Sequence, residues 1–104
     1  MGLFGNKTNK VEQAKAIYSK AKELDASGKF IEALAAYKEH EILSHELRNA
    51  DGEITALLGQ LNMNIKLKQG KYNKEIIEKA HKLAMANGMT QHIAMLSLLL
   101  ESYK

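Results

Sequence analysis

Two histidines, a serine and a run of lysines are the side chains of this sequence best suited to chemistry. His40-Glu41 is followed by His45. Zinc proteases space their paired histidines four apart, so that both share one helix face. A spacing of five, at 3.6 residues per turn, rotates them about 140° from each other, and no metal site is expected. Glu41 and His45 are expected instead as an i, i+4 pair, with His40 and His45 both at the surface. Ser44 lies near both histidines. One helix, however, supplies neither an orienting third group nor an oxyanion hole, so a catalytic triad has no basis. His81 and His92 stand alone and are ordinary packed or solvated residues. The absence of cysteine excludes disulfides, thiol catalysis and thiolate metal ligation. No glycine-rich phosphate loop is present, since Gly28 and Gly70 have the character of helix stops. Neither an enzyme nor a cofactor is expected.

The lysines Lys66, Lys68, Lys71 and Lys74 flank Tyr72, with Lys79 and Lys82 beyond. Such a face attracts anions or nucleic acid weakly. Base readout favours arginine, and Arg48 is the one arginine of the chain. A solvated lysine-rich face is therefore the preferred reading, with nucleic-acid or anion binding through Lys66–Lys82 as an alternative. Met63, Met85, Met89 and Met95 are expected to fill the core, although methionine also suits adaptable binding surfaces.

What must position these residues is a helical chain. The sequence has 104 residues, no proline and a net charge of +3, which fits one domain. Straight-chain residues dominate, and they favour helix. With 45% hydrophobic and 6% aromatic residues, the core must be built from Leu, Ile, Ala and Met. No run approaches eighteen apolar residues, so no membrane span is expected. The opening Met1-Gly2-Leu3-Phe4-Gly5-Asn6-Lys7 lacks the apolar run of a signal peptide. It also has Asn6 where myristoylation requires Ser or Thr. A cytoplasmic protein is expected.

Residues 1–9 read as a flexible arm, and residues 10–104 as one domain. Asn9 is suited to cap a first helix, with Glu12 as its capping-box partner. That helix runs from about Lys10 to Ser27 with Val11, Ala14, Ile17, Ala21 and Leu24 at helical spacing, and Gly28 stops it. A second helix, about 30–48, carries Phe30, Ala33, Leu34, Tyr37, Ile42, Leu43 and Leu47. Asp51 is a natural cap for a third, about 52–69, with Ile54, Leu57, Leu58, Leu61 and Ile65 inward and Gly70 as its stop. Gly59 inside that helix points to a close helix contact. A fourth spans about 72–87. A terminal helix spans 90–103, with Thr90 as its cap. Short links force antiparallel neighbours, giving helix pairs 10–48 and 52–87 and a lone last helix.

Gly28-Lys29-Phe30 returns 42 residues later as Gly70-Lys71-Tyr72, and a period of 20–50 residues marks repeat architectures. Ile17, Ala21 and Leu24, the Gly28-Lys29-Phe30 turn, then Ala33 and Tyr37 resemble the tetratricopeptide repeat. Lys20 and His40 depart from that pattern, where leucine and alanine are usual. A second copy is weaker. Glu75 or Ile76 stands for its small residue, and Met63 and Asn64 compete before the turn. Met63 and Ser97 are 34 residues apart, which is the period of the family. A three-helix domain of microtubule-interacting and trafficking proteins shares the Gly28, Phe30 and Ala33-Leu34 hairpin, but five helices exceed it.

The resemblance implies an all-α solenoid of antiparallel helix pairs that binds a protein or peptide partner. The groove is expected on helices one, three and five, with Tyr18, Lys22, Asn62, Lys66 and Gln91 as candidates. A second expectation comes from the last helix, which is apolar nearly all round. Terminal repeats need a polar outer face. Ile93, Met95, Leu96, Leu98 and Leu99 are therefore expected to mediate a homodimer. The alternative is that Leu3 and Phe4 of the arm fold over this patch.

Overall fold

Four left-handed residues divide the chain into helices. Gly28 (φ 78°), Arg48 (φ 56°), Lys68 (φ 56°) and Gly88 (φ 63°) stand 20 residues apart. Around them run α1 (Asn6–Ala26), α2 (Phe30–Glu46), α3 (Ala50–Lys66), α4 (Asn73–Ala86) and α5 (Thr90–Glu101), with a single 3-10 turn, Gly70–Tyr72, before α4. The structure is a computed structural model that describes residues 6–103, and side chains from residue 9 onward. No strand occurs among the described residues, in keeping with a proline-free composition of helix formers. No described helix is long and apolar enough to cross a membrane. Leu3 and Phe4 lie outside the described residues.

All four turns close in the same way. Gly28 N–H donates to the Asp25 carbonyl and Lys29 N–H to the Leu24 carbonyl. The same two bonds recur at Arg48 and Asn49, at Lys68 and Gln69, and at Gly88 and Met89. This is the Schellman closure, which satisfies the last carbonyls of a helix. Glycine takes the left-handed backbone freely. Arg48 and Lys68 take it at a cost of roughly 1–2 kcal/mol each.

That regularity corrects the echo seen in the sequence. α3 has ended at Lys66, and Lys68, not Gly70, makes the left-handed stop. Gly70 opens the 3-10 turn instead. The counterpart of Gly28-Lys29-Phe30 is thus Lys68-Gln69-Gly70, and the structural period of a helix pair is 40 residues rather than 42 or 34. Asn73 answers to Ala33, Ile77 to Tyr37 and Leu61 to Ala21, and all six are buried. Glu75, Ile76, Met63 and Asn64 do not hold the places expected of them.

Other boundaries move as well. α1 opens at Asn6, so Asn9 lies inside it and residues 6–9 are helical rather than an arm. Asn49, not Asp51, caps α3, and its Oδ1 accepts from Gly52 N–H at 3.0 Å. Thr90 lies within α5, whose cap position is Met89.

Consecutive helices pack on one another, and alternate helices also meet. Ala21 of α1 shares a cluster with Met63 of α3, and Lys66 Nζ donates to Asp25 Oδ1 at 2.6 Å. Leu96 of α5 joins Ile54 and Leu57 of α3. Lys79 of α4 pairs with Glu41 of α2. The result is a slab of 50 × 34 × 18 Å, with α1, α3 and α5 in one row and α2 and α4 in the other.

Burial follows the 20-residue unit. Residues 33, 53 and 73 are buried, as are 37, 57 and 77, then 40, 60 and 80, then 44, 64 and 84. Two clusters result. One contains Ala21, Ala33, Ala36, Tyr37 and Met63. The other contains Ile54, Leu57, Leu61, Ile77, Ala80, Ala84 and Leu96. Gly59 faces Tyr37, and a Cβ added there would overlap the ring. Ile42 and Ile65, expected inward, are exposed, and so are Met85 and Met95. The face of α2 that packs on its neighbours runs through 33, 37, 40 and 44, which turns Ile42 outward.

Candidate functional site

A cavity of about 350 Å³ opens between the first half of α1 and the second half of α2. Val11, Ala14, Lys15 and Tyr18 line one wall. His40, Ser44 and Leu47 line the other, and Asn49 closes the end where α3 begins. α1 and α3 meet near their last turns, through Ala21 with Met63 and through Asp25 with Lys66. The cavity lies toward their opposite ends.

His40 is buried, at 7% exposure, and not at the surface as expected. Its ring stacks on Tyr18 with centroids 5.1 Å apart and planes at 25°. Tyr18 also meets Tyr37 edge to face at 6.4 Å, and the Lys22 ammonium lies 4.9 Å from the Tyr18 ring centre. Burial holds His40 below its ordinary value of 6.5, so the imidazole is neutral around pH 7. Burial, then the nearby Asp25 carboxylate, pushes the Tyr37 phenol upward.

His40 Nδ1 and Ser44 Oγ are the two buried side-chain polar atoms without a hydrogen-bond partner among the described residues. Ser44 is 1% exposed. A buried polar atom left unpaired costs about 1–3 kcal/mol. Both residues line the same cavity, one helical turn apart on α2.

The remaining polar groups are committed elsewhere. Glu41 and His45 do not pair with each other. Glu41 accepts from Gln60 Nε2 at 2.8 Å and pairs with Lys79, while His45 Nδ1 lies 3.3 Å from the buried carboxylate of Glu53. His81 meets Ser97 Oγ at 3.0 Å, and His92 lies 3.6 Å from Asp51. Within the lysine run, Lys66 is held by Asp25 and Lys79 by Glu41. No cluster of three or more potential metal ligands occurs among the described residues.

Of the expected groove residues, Tyr18 lines the cavity and Lys22 covers its ring. Lys66 binds Asp25 and lies 5.2 Å from the Phe30 ring centre. Asn62 and Gln91 are exposed, on α3 and in the first turn of α5. In α5, Leu98 is 74% and Met95 40% exposed, whereas Leu96 is fully buried in the core of its own chain. Ile93 and Leu99 are partly buried against that core. His40, Ser44, Lys15 and Asn49 were not anticipated as cavity residues. The usable signal was the helical spacing 33, 37, 40 and 44, which carries the buried face of α2 through two polar side chains. No family model, curated protein or solved structure matches this chain.

Proposed function

We propose that the chain is a non-enzymatic protein-interaction module of tetratricopeptide-like helix pairs, which takes a peptide or helix of a partner protein along the row of α1, α3 and α5. One observation carries this reading. Those three helices meet in turn, α1 with α3 through Asp25 and Lys66 and α3 with α5 through Asp51 and His92, and a cavity opens beside Tyr18 of the first. The small residues Ala21 and Ala33, with Phe30 and Tyr37 between helices, support the tetratricopeptide resemblance. The 40-residue period departs from the 34 of that family. Photo-crosslinking from position 62 on α3, against position 39 on the outer face of α2, tests the groove. A partner trapped from 62 and not from 39 supports it. Equal or reversed labelling removes it.

Self-association through α5 is the second reading, and it rests on the exposure of Leu98 and Met95. Exposed apolar side chains that form a patch commonly mark an interface, and a symmetric pair is its simplest form. Light scattering at micromolar concentration tests it: a monomer ends this reading, and a dimer dispersed by Leu98→Glu supports it. Nucleic-acid binding loses ground because Asp25 and Glu41 already neutralise two lysines of the run.

A further inference from the structure

Of four cavities in the slab, the one between Tyr18 and Ser44 carries no carboxylate. The cavity beside His45 is lined by Glu41, Glu46 and Glu53 with one lysine, Lys79. That beside Leu24, also between α1 and α2, carries Glu32 and Glu39 with Lys20, and that beside Tyr72 carries Glu75 with Lys38 and Lys71. The cavity beside Tyr18 has one cation, Lys15, and no carboxylate. The acids of the first α3 turn are engaged elsewhere, Asp51 with His92 and Glu53 with His45.

Three of its polar groups can donate to a ligand, beside the unpaired His40 Nδ1. Asn49 Oδ1 is taken by Gly52 N–H, which leaves Nδ2 free to donate. Ser44 Oγ has no partner. Lys15 has Glu12 at 3.9 Å, with both side chains about 70% exposed, and such a contact is worth little in water. Around these donors the lining is apolar, from Val11, Ala14, Leu47 and the Tyr18 ring. The volume of about 350 Å³ is at the small end of ligand sites.

We propose that this cavity binds a small amphipathic carboxylate, its apolar body against Val11, Ala14, Tyr18 and Leu47 and its carboxylate at Lys15 Nζ, Asn49 Nδ2 and the Ser44 hydroxyl. One cation suits a monoanion. A phosphate would bring more charge than Lys15 can balance, and it lacks the apolar body that the walls require. The Ser44 hydroxyl gains through the ligand the partner that the folded chain denies it, which relieves an unpaired buried group. This site goes beyond the protein-interaction reading and stands without it.

The test is an amide chemical-shift titration of the intact chain with octanoate, octanol and octylamine. Octanoate is expected to give saturable shifts at Ala14, Ser44 and Asn49. It should bind about tenfold or more tightly than the alcohol or the amine, the range of a charge-assisted hydrogen bond. Lys15→Gln, an exposed change that leaves the fold intact, should weaken octanoate about tenfold and leave octanol unaltered. Ser44→Ala should weaken octanoate as well. Octanol binding as tightly as octanoate, shifts scattered without saturation, no response to millimolar octanoate, or indifference to Lys15→Gln each overturn the proposal.

Discussion

Between α1 and α3 the core is made of alanines and rings; between α3 and α5 it is made of branched aliphatics. Ala21, Ala33 and Ala36 contribute little apolar area, and what they give is proximity of helix backbones. Tyr37 fills the remaining space by lying on Gly59. Ile54, Leu57, Leu61, Ile77 and Leu96 instead bury large side chains against one another. Burial stabilises in proportion to apolar area, so the second region carries more of the folding energy. The first carries the imidazole, the unpaired hydroxyl and the cavity. A close-packed interior tolerates few such defects, and both unpaired polar atoms lie on α2, the helix that carries Ala33 and Ala36.

The largest effect should come from the aliphatic region. Ile77→Ala is expected to lower stability by about 2–5 kcal/mol, as buried aliphatic truncations do. Leu24→Ala, half-buried beside the alanine cluster, should lose only about 1 kcal/mol. Equal losses in urea unfolding would erase the contrast between the regions.

Proximity in the alanine region is tested by adding atoms. Ala33→Leu should destabilise by about 1–3 kcal/mol through overpacking. Gly59→Ala should also destabilise, although alanine is the better helix former by about 1 kcal/mol. Combined with Tyr37→Ala, the same Gly59→Ala change should turn stabilising. A double-mutant cycle reads this sign reversal, and additivity would show that ring and glycine are independent.

The turns give a smaller effect. Lys68→Gly should raise stability by about 1 kcal/mol by relieving a left-handed non-glycine residue. Gly28→Ala should lower it by a similar amount. Thermal melts of the two variants moving in the same direction would contradict the shared turn geometry.

The smallest signal is a slope. His40 keeps a lowered affinity for protons in the folded state, whereas the unfolded chain titrates near 6.5. The unfolded state therefore binds more protons in that window. The contribution is full above about pH 6.5 and is lost as pH falls from there through the lowered folded value. Between pH 7.5 and 5.5 the wild type should lose more stability than His40→Gln. Parallel curves would show that the ring does not titrate with unfolding.

Helix number, the four turn regions and the small-residue contact at Ala21 and Ala33 were legible in the sequence, because they rest on local rules of periodicity and chain stops. Gly70 misled because glycine is the usual left-handed residue, and here Lys68 holds that conformation under the pull of two backbone hydrogen bonds. Asp51 misled because Asn49, two residues earlier, is an equally good cap. The cavity was less legible. His40 and Ser44 lie on the spacing of the buried face, yet polar side chains count against burial in a pattern search. Only the apposition of α1 over α2, a tertiary fact, brings Val11 and Lys15 to them.

The seat of Tyr37 on Gly59 also has a mechanical meaning. Alanine-faced helices are smooth cylinders, and one can slide along another without losing much contact. A ring lodged in a single missing side chain acts as a detent. Axial travel of α2 along α3 must first lift the ring over the neighbouring residues, so the ring adds to the Gln60–Glu41 and His45–Glu53 contacts in holding one register. What the glycine gives up in helix preference returns as positional accuracy for everything α2 carries.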